Sequence, residues 1–295
     1  MLPRVNGVLV FLEHGVWSFV DLSVVAGPKL YKPTATFFRS CPNLKRLSLT
    51  NADMTVHLPP SVGVLQLSHC SVSASLFTGC HNGTSRLREV KLRAVNLRSG
   101  SLAVLPSTVQ RLAIHDSKIP CHCLPVANAP NPAAIIEIDL SDNHQIKPEE
   151  FSRIMAAWSP IKVLKISRCS FTSVDFFGLN TSHLQGLEAL EMNDFAGLIN
   201  SPIRYICRNG GRNLRRLSIA GCVRASPRAV LNIAEHQTSL QYLDVSRCPR
   251  LTDASFFVLF NLRRTLRYLN VANSNASADT VNALRLMMPN CEIVH

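Results

Sequence analysis

Cys121-His122-Cys123 places two thiols and an imidazole within three residues, the opening of a zinc site by residue type. Zinc takes about four ligands at constrained spacing, and C-x-C with one histidine falls short. The motif also sits in a Pro- and Asn-rich stretch, DSKIPCHCLPVANAPNPAA. It reads as an insertion, and no metal or other cofactor is expected. Sequences that cradle phosphate or build hydrolytic centres, G-x-x-x-x-G-K-[ST], G-x-S-x-G and H-E-x-x-H, do not occur. Gly210-Gly211 reads as a helix C-terminal turn. The chain offers no catalytic constellation, so the expectation is a binding protein and not an enzyme.

Cys70, Asn143, Cys169, Cys222 and Cys248 each follow an apolar triplet L-x-x-L-x-L by three residues. Such a triplet makes a short strand with its apolar side chains on one face. Copies include Leu44/Leu47/Leu49, Val62/Leu65/Leu67, Leu87/Val90/Leu92, Val109/Leu112/Ile114, Leu214/Leu217/Ile219 and Leu240/Leu243/Val245. The array opens at Trp17/Val20/Leu22 and ends in a truncated copy at Cys291 and Val294. Successive third positions are 27, 18, 25, 22, 26, 26, 26, 27, 26 and 26 residues apart.

Strands that cannot bury a face alone stack into a parallel sheet over a shared core. The fold expected is α/β, a leucine-rich-repeat solenoid or horseshoe. Its parallel strands line the concave face, and helices and extended links return on the convex face, in about 11 repeats. Residues 1–16 would be a cap or the remnant of a preceding domain, and 17–295 the repeat domain. Within it, short repeats occupy 50–114, regular 26-residue repeats 115–271, and a C-terminal cap 272–295. The long repeats carry helix signals, Thr252-Asp253 at an N-cap and Pro148 in a first turn. The short ones return through LPPSV and LPSTV, where proline leaves no room for a helix. In that setting the turn position needs a small inward side chain able to bond the backbone, which Cys and Asn both supply.

Side chains between the apolar positions point away from the core and gather in columns. Arg88, Lys91, Arg93 and Arg111, in adjacent repeats, make one basic cluster. Another groups Arg216, Tyr242, Asp244, Tyr268 and Asn270 beside the small Ala220, Ser246 and Ala272. Tyr and Arg are frequent anchors of protein interfaces, so both clusters are candidate partner-binding sites.

Lys plus Arg number 31 against 19 acidic residues, a net charge of +12. This favours an acidic or phosphorylated protein partner. Nucleic acid is disfavoured, because no run of aromatics interleaves with the basic residues, although a salt-sensitive nucleic-acid binder stays open. No long apolar run suggests a membrane span or signal peptide, and the ten cysteines read as reduced, buried thiols. The expected setting is cytoplasmic or nuclear, and the sequons at Asn82, Asn180 and Asn275 read as chance matches.

Repeats of about 26 residues with L-x-x-L-x-L-x-x-C followed by L-T-D resemble the cysteine-containing leucine-rich repeats of F-box/LRR proteins. The matching residues are Leu240, Leu243, Val245, Cys248, Leu251, Thr252 and Asp253. CPNLKRLSL (Cys41 to Leu49) and VWSFVDLS (Val16 to Ser23) resemble the flanks of that family's repeats. The resemblance implies substrate recognition for an SCF-type ubiquitin ligase through the concave face, with SCF components among the partners. The F-box itself is not evident, because the stretch before Trp17 is short and lacks its L-P-x-E signature. A general assembly scaffold is the alternative.

Overall fold

The computed structural model describes residues 19–23, 30, 32–39, 41–78, 85–125, 133–158, 160–170, 181–195, 197–210 and 212–295. Trp17, Asn82, Asn180, Gly211 and residues 126–132 lie outside them. The chain divides into two compact units. One runs to Asp139 and takes in Ala156–Trp158, and the other comprises Leu140–Met155 and Ser159–His295.

In the first unit, β1 (Phe19–Ser23), β2 (Arg46–Thr50), β3 (Asp53–Met54), β4 (Val64–Ser68), β5 (Ser71–Val72), β6 (Glu89–Arg93), β7 (Asn96–Leu97), β8 (Arg111–His115) and β9 (Glu137–Asp139) form two parallel ladders. The longer ladder is β1-β2-β4-β6-β8-β9, and the shorter is β3-β5-β7. Pairing is residue for residue: Val20 with Leu47, Leu47 with Leu65, Leu65 with Val90 and Val90 with Leu112. Alternation explains the two faces. Leu47, Leu49, Leu65, Leu67, Val90 and Leu92 are buried, while Gln66, Lys91 and Arg93 between and beside them are exposed. The returns hold α1 (Ala35–Arg39) and α2 (Ser75–Thr78). Around LPPSV and LPSTV the described chain has turns and no helix, as the prolines require. The shorter ladder is not marked in the sequence, since two-residue strands carry no periodicity.

The second unit alternates strands with longer returns: α3 (Pro148–Ala157), β10 (Val163–Lys165), α4 (Thr181–Gln185), β11 (Ala189–Glu191), α5 (Asn200–Asn209), β12 (Arg216–Ser218), α6 (Pro227–His236), β13 (Tyr242–Asp244), α7 (Asp253–Phe257), β14 (Tyr268–Asn270), α8 (Ala278–Met287) and β15 (Glu292–Val294). The strands β10 to β15 pair in parallel and in sequence order. Each helix turns its apolar stripe to the sheet, as Ile203, Ile206 and Cys207 of α5 and Val230 and Ile233 of α6 do. Leu251, Thr252 and Asp253 divide the labour at one helix start. Leu251 is fully buried, and the Thr252 N–H donates to Ser255 Oγ at 3.0 Å. Asp253 Oδ1 accepts from the Ser277 N–H at 2.7 Å, which holds its carboxyl below the usual range.

One register differs from the sequence reading. β15 sets Ile293 opposite Leu269 and Val294 opposite Asn270. The core position of the last copy is therefore Ile293, not Val294. The final return is shorter than the 26-residue period, which moves the register along by one residue and swaps the faces.

After β2, β4, β6 and β8 to β14 the chain turns through a residue of positive φ. Asn51, His69, Ala94, Asp116, Asp142, Arg168, Asp194, Arg247 and Asn273 hold φ between 49° and 66°, and Gly221 holds 70°. All ten stand two residues past the third apolar position. Their N–H groups extend the ladder in all but two repeats, as Asp194 N to Ala220 O, Gly221 N to Ser246 O and Arg247 N to Ala272 O do. The next residue inward seals the turn. Cys70, Cys169, Cys222 and Cys248 donate to the carbonyls of Leu49, Leu140, Met192 and Ile219 at 3.0–3.5 Å. Asn143 donates to Leu140 O at 2.7 Å.

Candidate protein-binding faces of the sheet

The column positions between core residues become neighbours about 4.8 Å apart once the strands pair. In the second unit this sets Arg216 beside Tyr242 and Tyr242 beside Tyr268. The Arg216 guanidinium lies 3.9 Å from the Tyr242 ring centroid, and the two tyrosine rings stack at 4.6 Å with 3° between their planes. Glu191 on β11 faces Arg216 Nε at 3.4 Å. Arg216, Tyr242 and Tyr268 thus form one line on the open face, and Glu191, in register with Ser218, reaches it from the neighbouring column.

The second column hardens the edge of that line. Asp244 Oδ1 accepts from Ser246 N at 3.0 Å, and its Oδ2 accepts from Asn270 Nδ2 at 3.3 Å. Asn270 Oδ1 accepts from Ala272 N at 3.0 Å. Burial, followed by the negative charge of Asp244, pushes the Tyr242 phenol above its ordinary value, so it stays a hydrogen-bond donor. Neither tyrosine hydroxyl has a hydrogen-bond partner among the described residues. The structure therefore brings together Arg216, Tyr242, Asp244, Tyr268 and Asn270 as a rigid platform with two unengaged phenols.

In the first unit the basic cluster is arranged differently. Lys91 Nζ lies 2.6 Å from Glu89 Oε1, and Arg111 reaches Glu89 at 3.2 Å and Glu137 at 3.8 Å. Arg93 Nε meets Asp116 Oδ2 at 3.0 Å, and His115 faces Asp139 at 3.3 Å. The lysine hydrogen bond comes first among the causes that hold Glu89 below the usual carboxylate range. Of the four residues, only Arg88 has no ion pair among the described residues. The cluster is a mixed-charge strip and not a bare cationic patch. The signal was in the sequence: Glu89, Arg111 and Glu137 share one column, and parallel pairing makes column neighbours meet.

Sequence reasoning did not find the ion pairs of the positive-φ column. Arg168 forks onto Asp142 at 2.5 and 2.9 Å, and Arg247 forks onto Asp194 at 2.8 and 3.3 Å. The second pair spans two repeats and passes over Gly221, where a Cβ would lie 2.0 Å from Asp194 Oδ1.

Cys121-His122-Cys123 forms one 3₁₀ turn packed on the chain around Arg98 and Leu102. Cys123 is fully buried, and its thiol donates to Leu97 O and Arg98 O at 3.4 and 3.3 Å. Among the described residues no group of three or more His, Cys, Asp and Glu is placed to hold a metal ion. No helix among them is long and apolar enough to cross a membrane.

The chain matches no sequence-family model and no curated protein. A chain in the crystal structure of the Rad7 and Elc1 complex in yeast superposes with a TM-score of 0.56 at 14% identity, covering 86% of this chain and 69% of that one. The leucine-rich repeat-containing protein LegL7 from Legionella pneumophila superposes at 0.45 and 14% identity, covering 82% and 88%. The first of these likenesses is one of fold. Taken with the period and the register of the strands, it gives this chain the α/β fold of a leucine-rich-repeat solenoid.

Proposed function

We propose that the open sheet face of the second unit binds a protein partner, with Arg216, Tyr242, Asp244, Tyr268 and Asn270 as the contact patch. The observation that carries this reading is the in-register stack of Arg216, Tyr242 and Tyr268 with its free hydroxyls. Aromatic and arginine side chains already fixed by their neighbours lose little conformational entropy on binding, and they are the residue types that dominate interface energetics. Small Ala220, Ser246 and Ala272 beside them leave room for a partner's side chains. The mixed strip of Lys91, Arg93 and Arg111, with Arg88, is a secondary contact region for polar partner groups. A binding role needs no catalytic centre, metal or cofactor.

The finer reading is substrate recognition for an SCF-type ubiquitin ligase. Its support is the cysteine-containing repeat with L-T-D, whose thiol, cap and carboxylate all hold the repeat joints. A scaffold without a ubiquitin role is the alternative. Nine free cysteines among the described residues favour a reducing, cytoplasmic or nuclear setting.

The test is affinity capture from proteasome-blocked cells with the native chain and with Tyr242→Ala/Tyr268→Ala side by side. A protein enriched on the native chain and depleted at least tenfold on the variant is the expected partner. Equal recovery on both would overturn the patch. Cullin and its adaptor in the native capture would support the ligase reading, and their absence beside a stably enriched partner would leave the scaffold.

A further inference from the structure

The outer face of α5 and α6 carries a second surface, chemically unlike the sheet face. With their apolar sides buried, α5 turns Ser201, Arg204 and Arg208 outward, and α6 turns out Arg228 and Leu231. Two clefts run along these residues, of about 520 Å³ and about 380 Å³, and Ser201 and Arg204 line both. Tyr205 and Arg208 complete the first, and Arg228 and Leu231 flank the second.

The charge of this surface is not neutralised from within. None of Arg204, Arg208 and Arg228 forms an ion pair among the described residues, and no carboxylate lines either cleft. The nearby acid of α6, Glu235, is exposed and pairs with none of them. Arg208 instead donates from Nε to His236 Nε2 at 3.4 Å, while His236 Nδ1 lies 2.9 Å from Asn232 O. The imidazole brings no negative charge to Arg208. This contrasts with the sheet face, where Lys91, Arg111 and Arg216 each meet a glutamate.

The helices are also held in register. Asn200 bonds Ser226 through Nδ2 at 2.8 Å and accepts its N–H at 3.2 Å, and Gln237 Nε2 donates to Cys207 O at 2.7 Å. The spacing of the guanidiniums is thereby set. Arg204 and Arg208 stand one turn apart, about 6 Å along α5, and packed helices lie about 8–10 Å apart. An extended peptide repeats its side chains on one face every two residues, about 6.6 Å. Glutamates at alternate positions therefore match Arg204 and Arg208, and the fork geometry of arginine suits carboxylates. Leu231, 40% exposed at the edge of the second cleft, offers an apolar contact beyond the charges.

We propose that the outer groove of α5 and α6 binds an extended acidic segment of a partner protein, with alternating carboxylates on Arg204 and Arg208, the next acidic group on Arg228, and an apolar residue at Leu231. A stacking nucleic acid is disfavoured because, among the described residues, Tyr205, half-buried, is the one aromatic lining the clefts.

The test is fluorescence anisotropy with the full chain and a labelled peptide bearing glutamates at alternate positions and a terminal leucine. Arg204→Glu/Arg208→Glu and, separately, Arg228→Glu are the variants, each checked for folding by its circular-dichroism melt. The expected result is saturable binding weakened at least tenfold by the double variant and at least threefold by Arg228→Glu. Tyr242→Ala on the sheet face should change it less than twofold, which separates this groove from the patch above. No saturable binding by the native chain, or binding indifferent to the arginine variants, would overturn the proposal. So would a single-stranded oligonucleotide of equal charge that binds more tightly than the peptide, since it would mark a polyphosphate site.

Discussion

At Gly221 one atom decides two things. Its φ of +70° is a conformation that costs a side-chain-bearing residue about 1–2 kcal/mol, and its missing Cβ leaves the passage through which Asp194 reaches Arg247. Gly221→Ala is expected to destabilise the chain by about 1–3 kcal/mol, adding loss of the bridge to the backbone strain. Gly63→Ala should cost far less, because its Cβ would meet nothing closer than 3.5 Å. Urea unfolding of both variants checks this. The cysteines make a separate prediction. Burial pushes the Cys222 thiol up to about 12 and the Cys248 thiol to about 11, from an ordinary 9.0. Folded chains therefore hold these protons where unfolded chains release them, so stability is complete below about pH 9 and falls as pH rises from 9 toward 12. Cys222→Ala should flatten that fall in pH-dependent unfolding, at some cost from the lost bond to Met192 O. At neutral pH both thiols should resist an aromatic disulfide reagent until the chain unfolds.

Elements show why the sequence was legible in some places and silent in others. The strands β2, β4, β6, β8 and β9 to β14 follow from apolar residues at fixed spacing, because a core position accepts few residue types. Thr252 and Pro148 mark helix starts for equally local reasons. The positive-φ column is marked only in part: Asn51, Asp116, Asp142, Asp194, Asn273 and Gly221 are types that enter this conformation readily, but Ala94, Arg168 and Arg247 are not. What fixes that conformation is the need to pass the N–H of one turn to the carbonyl of the next repeat, a constraint that binds neighbours and not residues. The site was half legible for the same reason. Its tyrosines and arginines stood in the columns, but their stacking and ion pairing belong to the pairing of strands. A double-mutant cycle on Arg216→Ala and Tyr242→Ala should give a coupling of about 0.5–1 kcal/mol in unfolding. A coupling indistinguishable from zero would show that the contact is not formed in solution.

At the scale of the whole chain, each strand pairs only with the strands beside it, so stability accrues through neighbour joints. A large cavity should therefore act regionally. Phe256 is fully buried in α7, and Phe256→Ala is expected to cost about 3–5 kcal/mol. Hydrogen exchange should show protection lost first across β13 to β15, with β2 to β8 retaining theirs; uniform loss would contradict repeat-wise cooperativity.

The bridge between Asp194 and Arg247 bears on how such a chain can lengthen over evolution. Its ends stand two strand spacings apart, about 10 Å, which an arginine and an aspartate can just close together. Duplicating the repeat that contains Gly221 would move them to about 15 Å and sever the clasp. Deleting that repeat would instead crowd both side chains into a single step. Gene duplication is thus penalised at this joint, while joints without a clasp can admit a new copy at little cost. The three repeats from Asp194 to Arg247 are thus tied by one clasp that a duplication among them would open.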